Sequence, residues 1–173
     1  MSELSGFPTL KPAIITKVNI GDVQPLGVMH NGSKMTHYGT PSGTIESVPG
    51  YEPAFKATVN FGADWLSFDP DGQFGRIDLR GMARTENGSS IDFRYVGVIR
   101  MAPEVHKIFD QDPDMATVPF GFATGSHTFV VADPALKDLE NSVFVSNGRI
   151  LVEESGLVVE TRQSLVVAST AMN

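Results

Sequence analysis

The chain has 173 residues, of which 41% are hydrophobic and 19% charged, so it can bury one hydrophobic core and does not have the composition of a disordered protein. Its formal net charge is −7 and Lys and Arg form no clustered run, which argues against nucleic acid and anionic membranes as partners. Cysteine is absent, which excludes disulfides, cysteine-ligated zinc and a thiol nucleophile.

The first residues, MSELSGFPTLKPAIITKV, do not combine a charged stretch with a following apolar stretch, as a secretion signal would. No apolar run is long enough to span a bilayer. We therefore expect a soluble, cytoplasmic protein in which residues 1–173 form a single domain.

Turn signals such as Asn31-Gly32 and Asn147-Gly148 recur at short intervals along the chain, and short segments rich in Val, Ile, Phe and Thr separate them. This pattern is typical of an antiparallel all-β domain, either a sandwich or a barrel. The predicted strands are residues 11–20, 25–30, 43–48, 53–61, 64–69, 74–85, 90–100, 117–131, 142–146, 149–153 and 157–167. Two short helices are predicted, APEVHKIFDQ and DPALKDLEN, because each has a Pro that suits a first helical position.

The best-defined hairpin covers residues 76–99. Its Asn87-Gly88 pair suits a two-residue type I′ turn, which would pair Arg80 with Tyr95 and Asp78 with Gly97. With that register each face of the hairpin is mixed in polarity. Periodicity alone therefore does not decide whether the charged face points outward or into a barrel with a polar-spotted interior.

Motifs for metals and nucleotides are absent from the sequence. The four histidines, His30, His37, His106 and His127, include no pair at the i, i+2 or i, i+4 spacing of a metal motif. No glycine-rich phosphate loop opens a helix. We therefore predict that the protein uses neither a metal nor a cofactor.

Acid–base chemistry remains possible. In the predicted hairpin Asp78, Arg80 and Tyr95 share one face, and a carboxylate, a guanidinium and a phenol in an apolar cavity can move protons and hold a phenolate or enolate. The alternative is a structural Asp–Arg pair with Tyr95 as a core residue. Asp64 precedes Trp65, the only tryptophan, which could line a pocket or anchor the core.

Several phenylalanines could form an aromatic pocket wall, or could belong to the core. They are Phe93, in the second strand of the hairpin, and Phe120, Phe122 and Phe129, in PFGFATGSHTFVV. Core packing is the commoner role for any one of them.

Three segments resemble the DUF3237 family, also labelled UPF0311, over about residues 7–167. They are SGTIESVPGYEPAFKATVNFGADW, DPDGQFGRIDLRGMARTENGSSIDFRYVG and PFGFATGSHTF with the later LENSVFVSNGRI. The residues that carry the resemblance are Gly62-Ala63-Asp64-Trp65, Asp78 and Arg80, Thr85 to Gly88, Leu139, Asn141, Phe144 and Val145. One departure is Ser42-Gly43, where the family usually has two glycines.

The resemblance implies a calycin-like or lipocalin-like antiparallel β-barrel that holds a small lipophilic molecule. It also favours the inward orientation of Asp78 and Arg80. The SVPGYEPAF version is similar to the fungal branch, whose members resemble tailoring proteins of aromatic polyketide pathways. Some of those are implicated in cofactor-free ring closure of prenylated aromatic polyketides.

The leading hypothesis is a cofactor-independent cyclase that closes an oxygen heterocycle by adding a phenol hydroxyl across an alkene. Asp78 would donate or shuttle the proton, Arg80 would hold the phenolate or carbonyl oxygen, and Tyr95 would orient the acid or relay the proton. Asp64, Trp65 and the four phenylalanines would bind the flat, hydrophobic aromatic substrate. The alternatives are a non-catalytic carrier of the same molecule, and a hydrolase or isomerase acting on another small molecule. A homodimer is also expected.

Overall fold

In the computed structural model, which describes residues 5–170, the chain forms ten strands, one short α-helix and one 3₁₀ helix. The strands are β1 (Thr9–Asn19), β2 (Val23–Val28), β3 (Lys34–Gly39), β4 (Ser42–Ser47), β5 (Lys56–Phe68), β6 (Phe74–Thr85), β7 (Ser90–Arg100), β8 (Val118–Val131), β9 (Phe144–Glu153) and β10 (Gly156–Val167). Helix α1 spans Pro103–Phe109 and the 3₁₀ helix spans Pro134–Leu139. None of the helices in the described part of the chain is long and apolar enough to cross a membrane.

Eight of the strands close into an antiparallel barrel in the order β1-β10-β9-β8-β7-β6-β5-β4. Strand β5 completes the ring because its first part pairs with β4 while it also pairs with β6. Its second part pairs with β3 instead, so the β2–β3 hairpin extends the sheet beyond the barrel. The predicted all-β, lipocalin-like barrel with two short helices is confirmed.

The core fills the barrel interior, because alternate residues of each strand point inward. In β6, for example, Ile77, Leu79, Gly81 and Ala83 are buried, while the residues that alternate with them are exposed or half-buried. Large apolar side chains from all around the barrel are almost fully buried in it, among them Ile14, Ile45, Val59, Ile91, Phe93 and Phe144. Burying one such side chain contributes about 1.5–3 kcal/mol to folding.

Two glycines that the sequence places between predicted strands, Gly62 and Gly148, lie inside strands. Residues 53–61 and 64–69 merge into β5, and residues 142–146 and 149–153 merge into β9. A Cβ on Gly62 would lie 2.6 Å from Thr40 Oγ1 and 2.7 Å from a backbone oxygen, so this glycine permits a close approach of neighbouring chain. Strand β3 was not predicted, since KMTHYG lacks a clear apolar alternation.

The β6–β7 hairpin differs from its predicted register by one residue. The ladder begins with Arg84 opposite Ser90, and Gly88 adopts a φ of 87° within a longer turn. As a result Leu79, not Arg80, lies opposite Tyr95. A shift of one residue moves the side chains of one strand to the other face of its partner, and with the correct register the two faces separate cleanly into apolar and polar.

The inward orientation expected for Asp78 and Arg80 is wrong, because this register puts the apolar face of β6 inside the barrel. On the outer surface Asp78 forms an ion pair with Arg94 at 2.9 Å and a longer one with Arg80 at 3.6 Å. All three side chains are more than a third exposed. Exposed pairs of this kind contribute about 0–1 kcal/mol.

Candidate functional site

The barrel contains a cavity with mostly apolar walls. The space open to the centre of a water molecule is about 90 Å³, compared with the roughly 10–15 Å³ that a single water needs. Ile108 and Phe109 of α1 contribute to its wall, together with apolar side chains of the barrel such as Leu66, Ile77, Ile99 and Phe122. The cavity can therefore take a small hydrophobic molecule.

Three polar side chains of the cavity, those of Tyr38, Asp64 and Tyr95, lie along one row of the sheet, while Gln111 and Arg149 line it elsewhere. Tyr38 of β3 lies opposite Asp64 of β5, Asp64 lies opposite Leu79 of β6, and Leu79 lies opposite Tyr95 of β7. All four residues line the cavity. Directly opposite residues in an antiparallel sheet are about 4.5–5.5 Å apart. The row therefore presents a phenol, a carboxyl group and a second phenol to one side of the cavity.

Asp64 is held in place by the backbone of the neighbouring strand. The ladder between β5 and β6 is interrupted after Asp64, and there its Oδ1 accepts the backbone N–H of Asp78 at 3.0 Å. Burial raises the pKa of Asp64 to about 7, while this hydrogen bond lowers it and the charge of Asp78 raises it further. At neutral pH the carboxyl group can therefore both give and take a proton.

Tyr95 presents a buried hydroxyl that makes no hydrogen bond within the described residues. Ser146 lies nearby, but its hydroxyl bonds the Nε2 of His127 at 2.9 Å. Burial raises the pKa of Tyr95 to about 12, so the phenol stays protonated and can donate a hydrogen bond to a ligand. A buried polar group without a partner is costly, which makes a ligand oxygen a favourable partner here.

The Tyr95 ring is fixed by its surroundings. It stacks on the imidazole of His127 with centroids 4.4 Å apart and an interplanar angle of 6°. Burial lowers the pKa of His127 to about 3, so this imidazole is neutral. On β8, a Cβ at Gly125 would lie only 2.6 Å from Cε2 of Tyr95. The missing side chain at this position thus provides the space that the tyrosine occupies.

Tyr38 completes the row at the opposite end from Tyr95. Burial raises the pKa of Tyr38, a hydrogen bond with Thr36 lowers it, and the charges of Asp64 and Asp110 raise it. The Tyr38 ring packs edge-on against Phe109 of α1, with centroids 5.9 Å apart. Tyr38 thereby links the carboxyl group to the helix at the cavity wall.

Of the residues predicted from the sequence, the structure places Asp64, Tyr95 and Phe122 on the cavity wall. Phe93 and Phe129 are buried in the barrel but are not among the residues that line this cavity. Phe93 packs where a Cβ of Gly81 would lie, and Phe129 packs edge-on against Phe144. These two rings belong to the core.

The remaining predicted residues lie outside the barrel. Trp65 is 42% exposed and meets His37 edge-on with centroids 5.0 Å apart. The guanidinium carbons of Arg149 and Arg162 lie 4.9 and 5.2 Å from the centroid of the Phe120 ring. Trp65 and Phe120 therefore do not form the expected aromatic wall, because each belongs to the outward-facing set of its strand or bulge.

The polar residues Tyr38, Gln111 and Arg149 line the cavity but were not predicted as site residues. Tyr38 lies in the strand that the sequence pattern did not indicate, and Gln111 lies at the end of a segment interpreted only as a helix. Within residues 5–170, no three His, Asp or Glu side chains are grouped as a metal ion would require. The absence of a metal and of a cofactor stays a prediction.

Comparison with known proteins identifies the family. The family model for DUF3237, a protein of unknown function, matches residues 8–166. The chain belongs to the DUF3237 family. A search of curated protein sequences finds no match to it.

Several solved structures share the fold of this DUF3237 protein. A conserved protein of unknown function from Rhodopseudomonas palustris has a TM-score of 0.76 at 17% identity, covering 94% of this chain and 100% of its own. A β-barrel-like protein from Acinetobacter baumannii has a TM-score of 0.69 at 22% identity, covering 95% and 99%. An enzyme from Penicillium herquei has a TM-score of 0.59 at 13% identity, covering 94% and 99%. At these identities the likeness establishes the fold alone.

Proposed function

We propose that this protein is a cofactor-independent cyclase that closes an oxygen heterocycle on a prenylated aromatic molecule. The observation that carries the proposal is the carboxyl group of Asp64, which has a pKa of about 7 in an apolar cavity and lies in one row with two phenols. Perturbed carboxyl groups in apolar clefts are typical of acid–base catalysts. The structural likeness to an enzyme from Penicillium herquei is compatible with a catalytic role.

The proposed reaction is an internal addition that consumes no other reagent. Asp64 in its acid form gives a proton to the less substituted alkene carbon, and the phenol oxygen forms a bond to the more substituted carbon. The phenol proton passes to the Asp64 carboxylate and restores the acid. The product is an isomer of the substrate, with one C–H and one C–O bond formed, one O–H bond and one π bond lost, and no change in oxidation state.

The rest of the cavity would position the substrate. Tyr95 would hold the reacting oxygen through its unpartnered hydroxyl, and Tyr38 would hold the carboxyl group in register. Phe109 and Phe122 would pack against the flat ring system and shield positive charge that develops on carbon. Holding hydroxyl and alkene together in a site that excludes water can by itself supply several kcal/mol of the acceleration.

The test uses 2-(3-methylbut-2-enyl)-1-naphthol as the substrate, followed by chromatography and mass spectrometry in heavy water. We expect an isomeric product that carries one non-exchangeable deuterium. Asp64→Asn should retain binding within a few-fold and lose at least about a hundredfold in turnover, the scale of a general acid–base residue. The matched control is Asp92→Asn, on the exposed face of β7, which should turn over like the wild type.

Two results would contradict the proposal, the first its acid and the second its catalytic activity. One is normal turnover by Asp64→Asn, which would exclude the buried carboxyl group as the acid. The other is tight binding of the naphthol without turnover by the wild type. A hundredfold loss in Asp78→Asn with Asp64→Asn unaffected would instead support the acid predicted from the sequence, on the outer surface.

A non-catalytic binder of the same class of molecule is the second candidate. It is favoured by the largely apolar wall of the cavity, because affinity for a hydrophobic ligand needs no proton transfer. The naphthol experiment separates the two candidates, since a binder retains the naphthol unchanged. In a binder, moreover, Asp64→Asn would alter affinity only.

A further inference from the structure

The chain leaves helix α1 through an unusual residue. Gln111 has a φ of 54° and is the one non-glycine residue with positive φ that the structure shows between residues 5 and 170. Asp112 N–H donates to the carbonyl of Lys107 at 2.9 Å, and Gln111 N–H donates to the carbonyl of Ile108 at 3.2 Å. These two bonds define a Schellman motif, in which the left-handed position is usually glycine because a Cβ is unfavourable there.

The Gln111 side chain lies at the cavity rather than within the fold. Gln111 is exposed, lines the cavity, and its carboxamide has no hydrogen bond to any other part of the described chain. No side-chain hydrogen bond within the described chain therefore holds Gln111 in this backbone conformation. Non-glycine residues in the left-handed region cluster at active sites and ligand-binding sites.

We propose that the Gln111 carboxamide is a specificity-determining group that hydrogen-bonds an uncharged oxygen at the outer end of the ligand. The proposal rests on the proposed function, because it assumes that the phenol end of the ligand reaches Asp64. Asp64 is largely buried and Gln111 is exposed, so of the two groups that line this cavity Gln111 is the one nearer to solvent.

The chemistry of the outer end favours a neutral carbonyl or hydroxyl group. A carboxamide both donates and accepts hydrogen bonds and carries no charge. The cation among the cavity-lining residues, Arg149, is already paired with Glu160 at 2.8 Å. Residues 110–114 include three aspartates, whose negative charges disfavour a carboxylate or phosphate on a ligand beside Gln111. The preferred ligand is thus an aromatic phenol with a second, neutral oxygen at its far end.

Two probes that differ only at that end test the proposal. Calorimetry at pH 6.5 would compare 2-naphthol with 6-acetyl-2-naphthol, whose carbonyl is remote from its hydroxyl. We expect the wild type to prefer the acetyl compound by about tenfold, the value of one good hydrogen bond. Gln111→Gly and Gln111→Leu should remove this preference and leave the affinity for 2-naphthol within about twofold.

Melting temperature separates recognition from a structural role. Gln111→Gly should melt at the same temperature as the wild type or higher, because glycine suits the left-handed position. Gln73→Leu is the matched control, since Gln73 is exposed in the turn after β5 and is not among the cavity-lining residues, and it should keep the preference.

The outcomes that overturn the proposal are distinct. If the wild type binds both probes equally, Gln111 does not recognise the second oxygen of the ligand. The same conclusion holds if Gln111→Gly and Gln111→Leu keep the preference for 6-acetyl-2-naphthol. If both variants melt lower and lose both probes alike, the residue is structural. If the wild type binds neither naphthol, the cavity does not bind aromatic phenols, and the proposed function fails together with this inference.

Discussion

Asp64 and Asp78 show how different the surroundings of two aspartates are on the two sides of one barrel wall. The Asp64 carboxyl group is inside the barrel, and burial raises its pKa to about 7. The Asp78 carboxylate is outside, between two arginines. The two residues are nevertheless joined, because the backbone N–H of Asp78 donates to Asp64. Asp78 thus supports the buried acid through its backbone and pairs with arginines through its side chain.

The raised pKa of Asp64 predicts a specific dependence of stability on pH. The folded chain keeps this proton up to about pH 7, whereas the unfolded chain releases it near its ordinary value of 3.8. Between these values the folded state binds more protons, so its stability falls as pH rises and then levels off. Asp64→Asn removes this loss. A shift from 3.8 to about 7 corresponds to at most about 4 kcal/mol.

Urea unfolding at pH 4 and pH 8 measures the effect. The variant should gain stability relative to the wild type on going from pH 4 to pH 8, while its relative stability at pH 4 reports only the change of side chain. Asp92→Asn, on the outer face, should show no such pH-dependent gain. An identical pH dependence of the wild type and Asp64→Asn would show that Asp64 has the same pKa in the folded and unfolded states.

At the scale of elements, glycines in strands β8 and β9 leave the space that the Tyr95 side chain occupies. A Cβ at Gly125 would meet a backbone oxygen at 2.3 Å and the Tyr95 ring at 2.6 Å, neither of which can yield without moving the strand or the ring. A Cβ at Gly148 on β9 would meet Ala123 at 3.3 Å and the Tyr95 hydroxyl at 3.6 Å. The two sites flank the same side chain with very different clearance.

The two glycines therefore predict opposite outcomes for one substitution. Gly125→Ala should lower the free energy of unfolding by more than about 3 kcal/mol, since overpacking against backbone cannot relax. Gly148→Ala should change it by less than about 1.5 kcal/mol. Chemical denaturation of both variants checks this, and equal destabilisation would contradict the difference in clearance between the two sites.

The hairpin shows which features the sequence could predict. Turn signals located both of its strands to within a few residues, because Gly and Asn mark turns by local chemistry. The register depended on turn length, and the sequence Thr85–Gly88 fits both a short and a longer turn. Clean segregation of polar and apolar faces, which only the longer turn produces, was the signal that could have decided it.

The candidate site was only partly predictable, because its residues come from strands that are separated along the chain. Asp64 and Tyr95 were singled out, but their partner Tyr38 lies in a strand that pairs with β5 far along the chain. Such pairing depends on tertiary contacts that no local pattern reveals. The orientation of Trp65 was equally hidden, because β5 contains a bulge between Val59 and Phe61 that resets its alternation.

For the whole molecule, closure of the barrel leaves few unpaired strand edges. The outer edge of β2 is one, and it carries Pro25 and an irregularity before Gly27, both of which oppose further strand pairing. The expected homodimer stays a prediction. If it forms, contacts between outward-facing side chains are a better basis for it than pairing along β2.

The closed barrel also predicts how the whole molecule responds to a ligand. A molecule that binds only the folded state stabilises it, by about 2.7 kcal/mol at a hundred times the dissociation constant. For a chain of this size that corresponds to a rise of about 5–10 °C in melting temperature. We expect 2-naphthol to produce such a rise at pH 6.5, because the apolar cavity is open to a ligand only when the barrel is intact.

A pair of substitutions on one strand ties this effect to the cavity. Ala123 of β8 lines the cavity, whereas the next residue, Thr124, is exposed on the outer face. Ala123→Leu fills part of the ligand space and should abolish most of the naphthol-induced rise, while Thr124→Leu should keep it. Scanning calorimetry with and without 2-naphthol gives the comparison. An equal rise in both variants would place the naphthol site elsewhere on the molecule, since only the inward substitution occupies the volume that the ligand needs.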